Sequence, residues 1–183
     1  MNKPKALILI ILFSIFILGI ITFTMTGNTI NQNTKVKLET NYGDIVIELY
    51  SKQMPITAGN FEKLVKQGFY DNTIFHRIIE GFMIQGGDPQ GTGMGGPGYK
   101  IADEFKGEQK NNRGTIAMAN AGPNTGGSQF FINLVNNNFL DNRHPVFGKV
   151  IEGMDVVDAI AKAEKNANDK PLEDVKIVRA TIL

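Results

Sequence analysis

The sequence predicts a mainly β domain in which about eight short strands form a closed or nearly closed antiparallel barrel with two helices. Three observations lead to this prediction. Strand-like apolar runs recur about eight times after residue 35, only two stretches have helical periodicity, and Gly- and Pro-containing turns separate these elements. Many short strands joined by such turns are typical of antiparallel sandwiches and barrels.

The first third of this domain is predicted to be a β-hairpin followed by a helix. Two strands, residues 36–40 and 45–50, flank the turn sequence NYGD, which is a hairpin signal. Residues 55–67 place their apolar side chains on one helical face, and the proline that begins this stretch suits a first helical turn. Gly68 follows at the position where a glycine commonly ends a helix.

The rest of the domain alternates between strand-like runs and loops. A glycine-rich loop covers residues 86–98, and a second short amphipathic helix is predicted at residues 153–164. The other six predicted strands are residues 73–79, 82–85, 115–119, 129–134, 145–150 and 175–183. The sequence shows no internal repeat and no second boundary, so we expect a single domain at residues 36–183.

A membrane segment is predicted at residues 1–23. Lys3 and Lys5 precede an uncharged apolar run of 18 residues, 6–23, which as a helix would span about 27 Å, close to the roughly 30 Å hydrocarbon core of a bilayer. A buried soluble helix would show a polar face, and this run has none. A cleaved signal peptide usually has a shorter apolar region and an A-x-A-like exit. We therefore favour an uncleaved anchor over a cleaved signal peptide, and both place the domain outside the cytoplasm.

Residues 24–35 are predicted to be a flexible linker, because they are rich in Asn and Thr and poor in large apolar residues.

Three of the 19 basic residues and none of the 18 acidic residues lie in the first 35 positions, so the domain has two more acidic than basic groups. A nearly neutral domain without a basic stripe argues against nucleic acid as a partner. The chain has no Cys, which excludes disulfides and thiolate chemistry.

Three motif-like patterns give only weak support for other chemistries. The G-x-G-x-x-G pattern at Gly91, Gly93 and Gly96 is flanked by prolines, so the helix that a dinucleotide site requires cannot begin there. The sequence GGSQF around Ser128 lacks the final glycine of a nucleophile elbow. Two histidines without any Cys give no metal-site pattern. We therefore predict neither a metal nor a cofactor.

Several predicted strands carry amide and apolar side chains on the same face. Met83 and Gln85 are two residues apart, as are Gln129 and Phe131, and side chains two apart on a strand share a face. Arg77 stands in the middle of an otherwise apolar run, although an unpaired arginine is rarely buried. A half-open groove with an apolar pocket beside hydrogen-bonding groups accommodates both kinds of side chain.

Three long blocks of the domain carry a family resemblance. They are FHRIIEGFMIQGGDPQGTGMGGPGY, AMANAGPNTGGSQFFI and FLDNRHPVFGKVIEGMDVV. These blocks resemble the signature sequences of the cyclophilin family of peptidyl-prolyl cis-trans isomerases, and the resemblance covers about residues 36–183 in order, almost without gaps. The chain is similar to the short single-domain prokaryotic members. The resemblance implies a closed eight-stranded antiparallel barrel capped by two helices.

The resemblance also implies which residues form the site. Arg77 matches the family's catalytic arginine. The matching substrate-binding residues form three parts of the site. The proline pocket matches Phe82, Met83, Phe131 and Leu140, and the groove for the peptide backbone matches Gln85, Ala119, Asn120, Ala121 and Gln129. The pocket rim matches His144. Phe139 covers the pocket where many members have Trp, which weakens the expectation of strong inhibition by cyclosporin. The strand period places His76 on the face opposite Arg77, so we expect a structural role for His76.

The implied function is peptidyl-prolyl cis-trans isomerisation of unfolded or flexible proline-containing polypeptides, which would be exported ones if the N-terminal prediction holds. Rotation about a prolyl bond breaks no covalent bond, so the reaction needs no nucleophile, metal or cofactor. The alternative is a proline-peptide-binding, chaperone-like module with little or no turnover. We expect a monomer in either case.

Overall fold

The computed structural model describes residues 33–106 and 109–183. The predicted membrane segment at residues 1–23 and most of the predicted linker at residues 24–35 lie outside these ranges. Within them, no helix has the length and apolar character needed to cross a bilayer.

Nine β-strands and two α-helices occur in the described residues. The strands are β1 (Lys35–Thr40), β2 (Gly43–Leu49), β3 (Thr73–Ile74), β4 (Arg77–Ile79), β5 (Met83–Gly86), β6 (Thr115–Met118), β7 (Phe130–Asn133), β8 (Val146–Glu152) and β9 (Lys176–Ile182). The helices are α1 (Pro55–Lys66) and α2 (Met154–Ala161), and a single 3-10 turn covers Asn138–Leu140.

All nine strands belong to one antiparallel sheet in the order β3-β9-β1-β2-β8-β6-β7-β5-β4. The two edge strands, β3 and β4, are separated in the chain by only Phe75 and His76. The sheet therefore curls until its two edges come close together. The mainly β prediction is confirmed, but the structure has a curled nine-stranded sheet where the sequence predicts a closed eight-stranded barrel.

The predicted strand at residues 73–79 divides into two because its neighbours change halfway. Thr73 pairs with β9, whereas Arg77 pairs with β5. Between them, the Phe75 N–H donates to the Val175 carbonyl at 2.9 Å, and further on the Ile78 N–H donates to the Asp169 carbonyl at 2.8 Å. The backbone groups of the run thus stay satisfied while the chain passes from one edge of the sheet to the other.

The main core fills the inside of the curled sheet. Helix α1 contributes Phe61, whose ring centroid lies 4.9 Å from that of Tyr70, 5.2 Å from that of Phe147 and 5.4 Å from that of Phe130. All four of these side chains are fully buried. Tilted and edge-to-face aromatic contacts of this kind add to the free energy of burial, and they fix α1 against the strands.

Helix α1 is capped by a residue that is distant in sequence. The residue before it, Met54, provides no side-chain hydrogen bond. Instead, the Ile56 and Thr57 N–H groups donate to one carboxylate oxygen of Glu104, at 2.9 and 3.1 Å. A negative group at this end also interacts favourably with the helix dipole. The helix ends one residue before the predicted end, and Gly68 follows in the left-handed conformation with φ = 66°.

Helix α2 is shorter than the predicted residues 153–164. Gly153 precedes it with φ = 82°, and a Cβ there would lie 2.2 Å from the Asp44 carbonyl oxygen, so only glycine fits this turn. The helix ends at Ala161, where the Lys165 ammonium donates to the Ala161 carbonyl at 3.2 Å. This side-chain bond satisfies one of the free carbonyls of the last turn.

Candidate active site

The strands β5, β7 and β6 have two different apolar faces. Ile84, Ile132 and Ile116 point into the main core. Their neighbours on the opposite face form a second, separate buried cluster, which we call the outer cluster, consisting of Met83, Ala117, Phe131 and Val146. The mixed polar and apolar face that the sequence predicts is therefore the convex side of the curled sheet.

Arg77 lies at one end of a row of side chains that crosses this face. In the strand register, Arg77 is opposite Gln85, Gln85 is opposite Phe131, and Phe131 is opposite Ala117. Directly opposed side chains in antiparallel strands have Cβ atoms about 5 Å apart. The register therefore brings together residues that are up to 54 positions apart along the chain, from Arg77 to Phe131.

The Arg77 side chain is exposed on the edge strand β4. Among residues 33–106 and 109–183, no acidic group forms an ion pair with its guanidinium, and no side-chain hydrogen bond involves it. Since its donors are not used internally, they are available to a bound molecule.

The outer cluster is bordered by further apolar side chains, and we call this apolar region the apolar depression. Phe82 and Leu140 pack against the cluster. Phe139 is 65% exposed, and its ring stacks on that of Phe82 at a centroid distance of 5.9 Å. His144 meets Phe131 edge to face at 5.4 Å, and its Nδ1 lies 3.1 Å from the Met118 carbonyl oxygen. A carbonyl can only accept, so Nδ1 carries the hydrogen and fixes the ring orientation.

A groove of about 550 Å³ adjoins this depression. It is lined by all five residues predicted to hold a peptide backbone, Gln85, Ala119, Asn120, Ala121 and Gln129. Arg77 and the apolar pocket residues do not line the groove. Ala119 also packs against the outer cluster, and Gln85 is opposite both Arg77 and Phe131. The predicted site thus has two adjacent parts that share these two residues.

The two glutamines of the groove hold each other and the glycine-rich loop. The Gln85 side-chain nitrogen donates to the Gln129 side-chain oxygen at 2.9 Å. Gln129 in turn donates to the carbonyl oxygens of Gly93 and Gly95, at 3.0 and 2.9 Å. Both N–H groups of the Gln129 amide are thereby used, which leaves Gln85 as the amide with spare hydrogen-bonding groups.

The glycine-rich loop is built around the carboxylate of Asp88, a role that the sequence analysis did not find. The carboxylate accepts the N–H groups of Gln90, Thr92, Gly93 and Gly95 at distances of 2.6 to 3.1 Å. Burial raises the pKa of Asp88, but these four donors outweigh it and lower the pKa. The G-x-G-x-x-G pattern therefore belongs to a loop that wraps a carboxylate.

His76 lies beside Arg77 but is 6% exposed. Neither ring nitrogen has a hydrogen-bond partner in the part of the chain that the structure describes. Burial lowers the pKa of His76, the Asp88 charge opposes this effect, and the Arg77 and Lys170 charges add to it. A buried neutral ring agrees with the structural role expected from the strand period.

One further groove residue, Tyr99, and the residue that holds it, Asn60, have no recognisable sequence signal. Tyr99 lines the groove, and its hydroxyl donates to the Asn60 side-chain oxygen at 2.7 Å. The Asn60 nitrogen donates to the Gly127 carbonyl at 2.7 Å, and the Lys63 ammonium lies 5.1 Å from the centre of the Tyr99 ring. Helix α1 thus supports one wall of the groove through two hydrogen bonds between residues 39 and 67 positions apart.

Comparison with known proteins identifies the class. The family model for cyclophilin type peptidyl-prolyl cis-trans isomerase/CLD matches residues 35–182. The chain is 47% identical over 154 residues to peptidyl-prolyl cis-trans isomerase-like 1 of Gibberella zeae, covering 82% of this chain and 95% of that protein. It is 48% identical over 153 residues to peptidyl-prolyl cis-trans isomerase-like 1 of Homo sapiens, covering 81% and 92%.

Solved structures agree with these relatives. The crystal structure of a cyclophilin type peptidyl-prolyl cis-trans isomerase of Cryptosporidium parvum matches with a TM-score of 0.80 and 40% identity, covering 82% of this chain and 98% of that one. A second structure of that protein, in the presence of the dipeptide Ala-Pro, has a TM-score of 0.79. The fold and these relatives define the chain as a peptidyl-prolyl cis-trans isomerase. Among these enzymes, the chain belongs to the cyclophilin family.

Proposed function

We propose that the isomerase activity of this chain is carried by Arg77 together with the outer cluster and the adjoining groove. The observation that supports this assignment is the register row from Arg77 through Gln85 to Phe131. It puts three groups in adjacent positions: a guanidinium that has no side-chain partner among the described residues, an amide and an apolar floor. An extended peptide could contact all three at once.

The chemistry that this arrangement has to catalyse is rotation about a partial double bond. Rotation about a peptide bond has a barrier of about 18–20 kcal/mol, and uncatalysed prolyl exchange takes tens of seconds or more. In the twisted state the lone pair localises on the prolyl nitrogen. The Arg77 guanidinium would donate to that nitrogen, and its fixed charge would stabilise the twisted state more than either planar state.

The two parts of the site would divide substrate binding between them. The proline ring would enter the apolar depression over Phe131 and Met83, with Phe82, Phe139, Leu140 and His144 around it. The flanking backbone would lie in the groove beside Gln85, Ala119, Asn120 and Ala121, with Gln129 holding the groove wall. Holding the proline ring and the backbone on one side of the prolyl bond lets the group on the other side rotate against them.

A proline-limited refolding assay tests the assignment. We expect Arg77→Ala to lower kcat/KM by about 100-fold or more, as does loss of one preorganised donor in other enzymes. Arg179→Ala, which changes an exposed arginine on β9, is the matched control. Equal acceleration by wild type and Arg77→Ala would show that Arg77 has no catalytic role. If neither protein accelerates refolding while proline peptides still bind, the chaperone-like alternative is supported.

We also propose that residues 1–23 anchor the isomerase domain on the outer side of the cytoplasmic membrane, where its clients would be exported polypeptides. The uncharged run of 18 residues after Lys3 and Lys5 supports this proposal. Membrane fractionation and N-terminal sequencing of the mature protein test it. A soluble mature protein that begins near Asn28 would contradict the anchor and support signal cleavage.

A further inference from the structure

Three buried asparagines form a connected network beside the apolar depression, where Asn133 is opposite Met83 in the strand register. Asn111, Asn133 and Asn137 are at most 3% exposed. The Asn137 side-chain nitrogen donates to the Asn133 oxygen at 2.9 Å, and the Asn133 nitrogen donates to the Asn111 oxygen at 3.2 Å and to the Thr115 hydroxyl at 2.9 Å. We call these three residues the asparagine network.

One end of the network holds the Phe82 side of the depression. The Asn137 side-chain nitrogen also donates to the Phe82 carbonyl at 2.9 Å. The same carbonyl accepts the Leu134 N–H at 2.9 Å. Because the Phe82 carbonyl has two fixed donors, the turn between β4 and β5 is tied to the chain that follows β7.

The other end holds the opposite side. The Asn111 side-chain nitrogen donates to the His144 carbonyl at 3.3 Å and to the Asp141 carboxylate at 3.2 Å. The Asn111 backbone N–H also donates to that carboxylate, at 2.8 Å. The network therefore reaches from Phe82 across to the segment that carries Phe139, Leu140 and His144.

Strand pairing alone does not position these walls. Met83 and Phe131 lie on strands and are held by the ladder, whereas Phe82, Phe139, Leu140 and His144 lie in a turn, a 3-10 turn and a loop. Asn137 also acts through its backbone, since its N–H donates to the Asn111 carbonyl at 2.7 Å and its carbonyl accepts the Leu140 N–H at 2.9 Å. The spacing between the two walls thus depends on side-chain amides.

We infer that Asn137 and Asn111 are positioning residues for the isomerase reaction, which set the spacing of the walls around the proline ring through the asparagine network. This inference rests on the proposed proline pocket. Neither residue touches substrate in this arrangement, because both side chains are buried. A change in wall spacing weakens contact with the proline ring equally in the planar and twisted states, so it raises KM and leaves kcat nearly unchanged.

Steady-state kinetics on a short proline peptide tests the inference. We expect Asn137→Ala and Asn111→Ala each to raise KM by about threefold to tenfold, which is the range that corresponds to the loss of one or two buried hydrogen bonds. We expect kcat to change by less than about twofold. Nuclear Overhauser contacts between the rings of Phe82 and Phe139 should weaken in the same variants. Asn138→Ala is the matched control, because Asn138 lies in the same segment and is exposed, and among the described residues its side chain bonds only to Asn112.

A stability control separates positioning from general loosening. Ile160→Val removes one methylene from a fully buried side chain on α2, away from the pocket. The inference is wrong if Asn137→Ala leaves KM unchanged, or if Ile160→Val raises KM as much as Asn137→Ala does. If Asn137→Ala and Asn111→Ala do not fold, Asn137→Ser replaces them, because serine keeps a hydroxyl donor. Its KM is compared with that of Ile160→Val in the same way, and we expect a smaller rise in KM. Phe131→Ala tests the pocket itself, and unchanged kinetics in that variant would contradict the pocket assignment instead.

Discussion

At the scale of single residues, two neighbours in the sequence, His76 and Arg77, have opposite environments. Strand alternation puts Arg77 on the convex face, exposed and opposite Gln85, and turns His76 inward, where it has no hydrogen-bond partner among the described residues. Two adjacent residues of an extended chain thus point to opposite faces, one available to substrate and the other buried. The same alternation let the sequence predict both environments.

We expect the stability of the domain to fall as the pH falls through the unfolded-state pKa of His76. Burial lowers the pKa of the folded-state ring, so below about pH 6.5 the unfolded chain binds a proton that the folded chain does not. The stabilising effect is complete above that pH and is lost below it. Thermal unfolding between pH 5 and pH 8 measures this, and His76→Phe should flatten the profile. An equally steep profile in that variant would assign the dependence to other groups.

Gly95 and Gly96 provide a second test at this scale. A Cβ on Gly95 would lie 2.0 Å from an Asp88 carboxylate oxygen, whereas a Cβ on Gly96 would have no heavy atom within 4 Å. We expect Gly95→Ala to lower the free energy of unfolding by about 1–3 kcal/mol, and Gly96→Ala to leave it nearly unchanged. Urea unfolding measures both values. Similar losses of unfolding free energy in the two variants would show that the contact with Asp88 is not the reason for a glycine at position 95.

At the scale of elements, strand positions follow from the sequence more readily than strand neighbours do. The hairpin β1–β2 and the C-terminal strand β9 lie within about two residues of the predicted ranges, because alternation and turn residues are local signals. The division of residues 73–79 could not be predicted, because it results from pairing with β9 at one end and β5 at the other. The asparagine network could not be predicted either, since an asparagine-rich segment has the composition of a loop.

The cap on helix α1 gives a test at this scale. Glu104 bonds to two N–H groups of the first turn from 47 and 48 positions away. We expect Glu104→Ala to lower the free energy of unfolding by about 1–2 kcal/mol, as loss of a helix cap does, and Glu104→Gln, which keeps an acceptor oxygen, to cost less. Chemical denaturation measures both, with Glu173→Ala as an exposed control. An equal loss in Glu104→Gln would assign the effect to charge alone.

At the scale of the whole molecule, every residue of the proposed site lies within residues 33–183. We therefore expect a chain of residues 33–183 to have a kcat/KM on a soluble proline peptide within about twofold of the full-length value. Parallel peptide assays on the two proteins measure this. A loss of about tenfold or more would mean that residues 1–32 contribute to folding or to the site, which would contradict the expected division into anchor, linker and domain.

The position of the last strand has a consequence for synthesis. Strand β9 is the last of the nine strands along the chain, yet it lies between β3 and β1, which come from the first half of the chain. Until β9 has been made and has left the ribosome, β1 and β3 each lack the strand that pairs with them on that side. The sheet is therefore completed only when two distant segments of the chain meet, and the unpaired edge of β1 stays open to other partners until then.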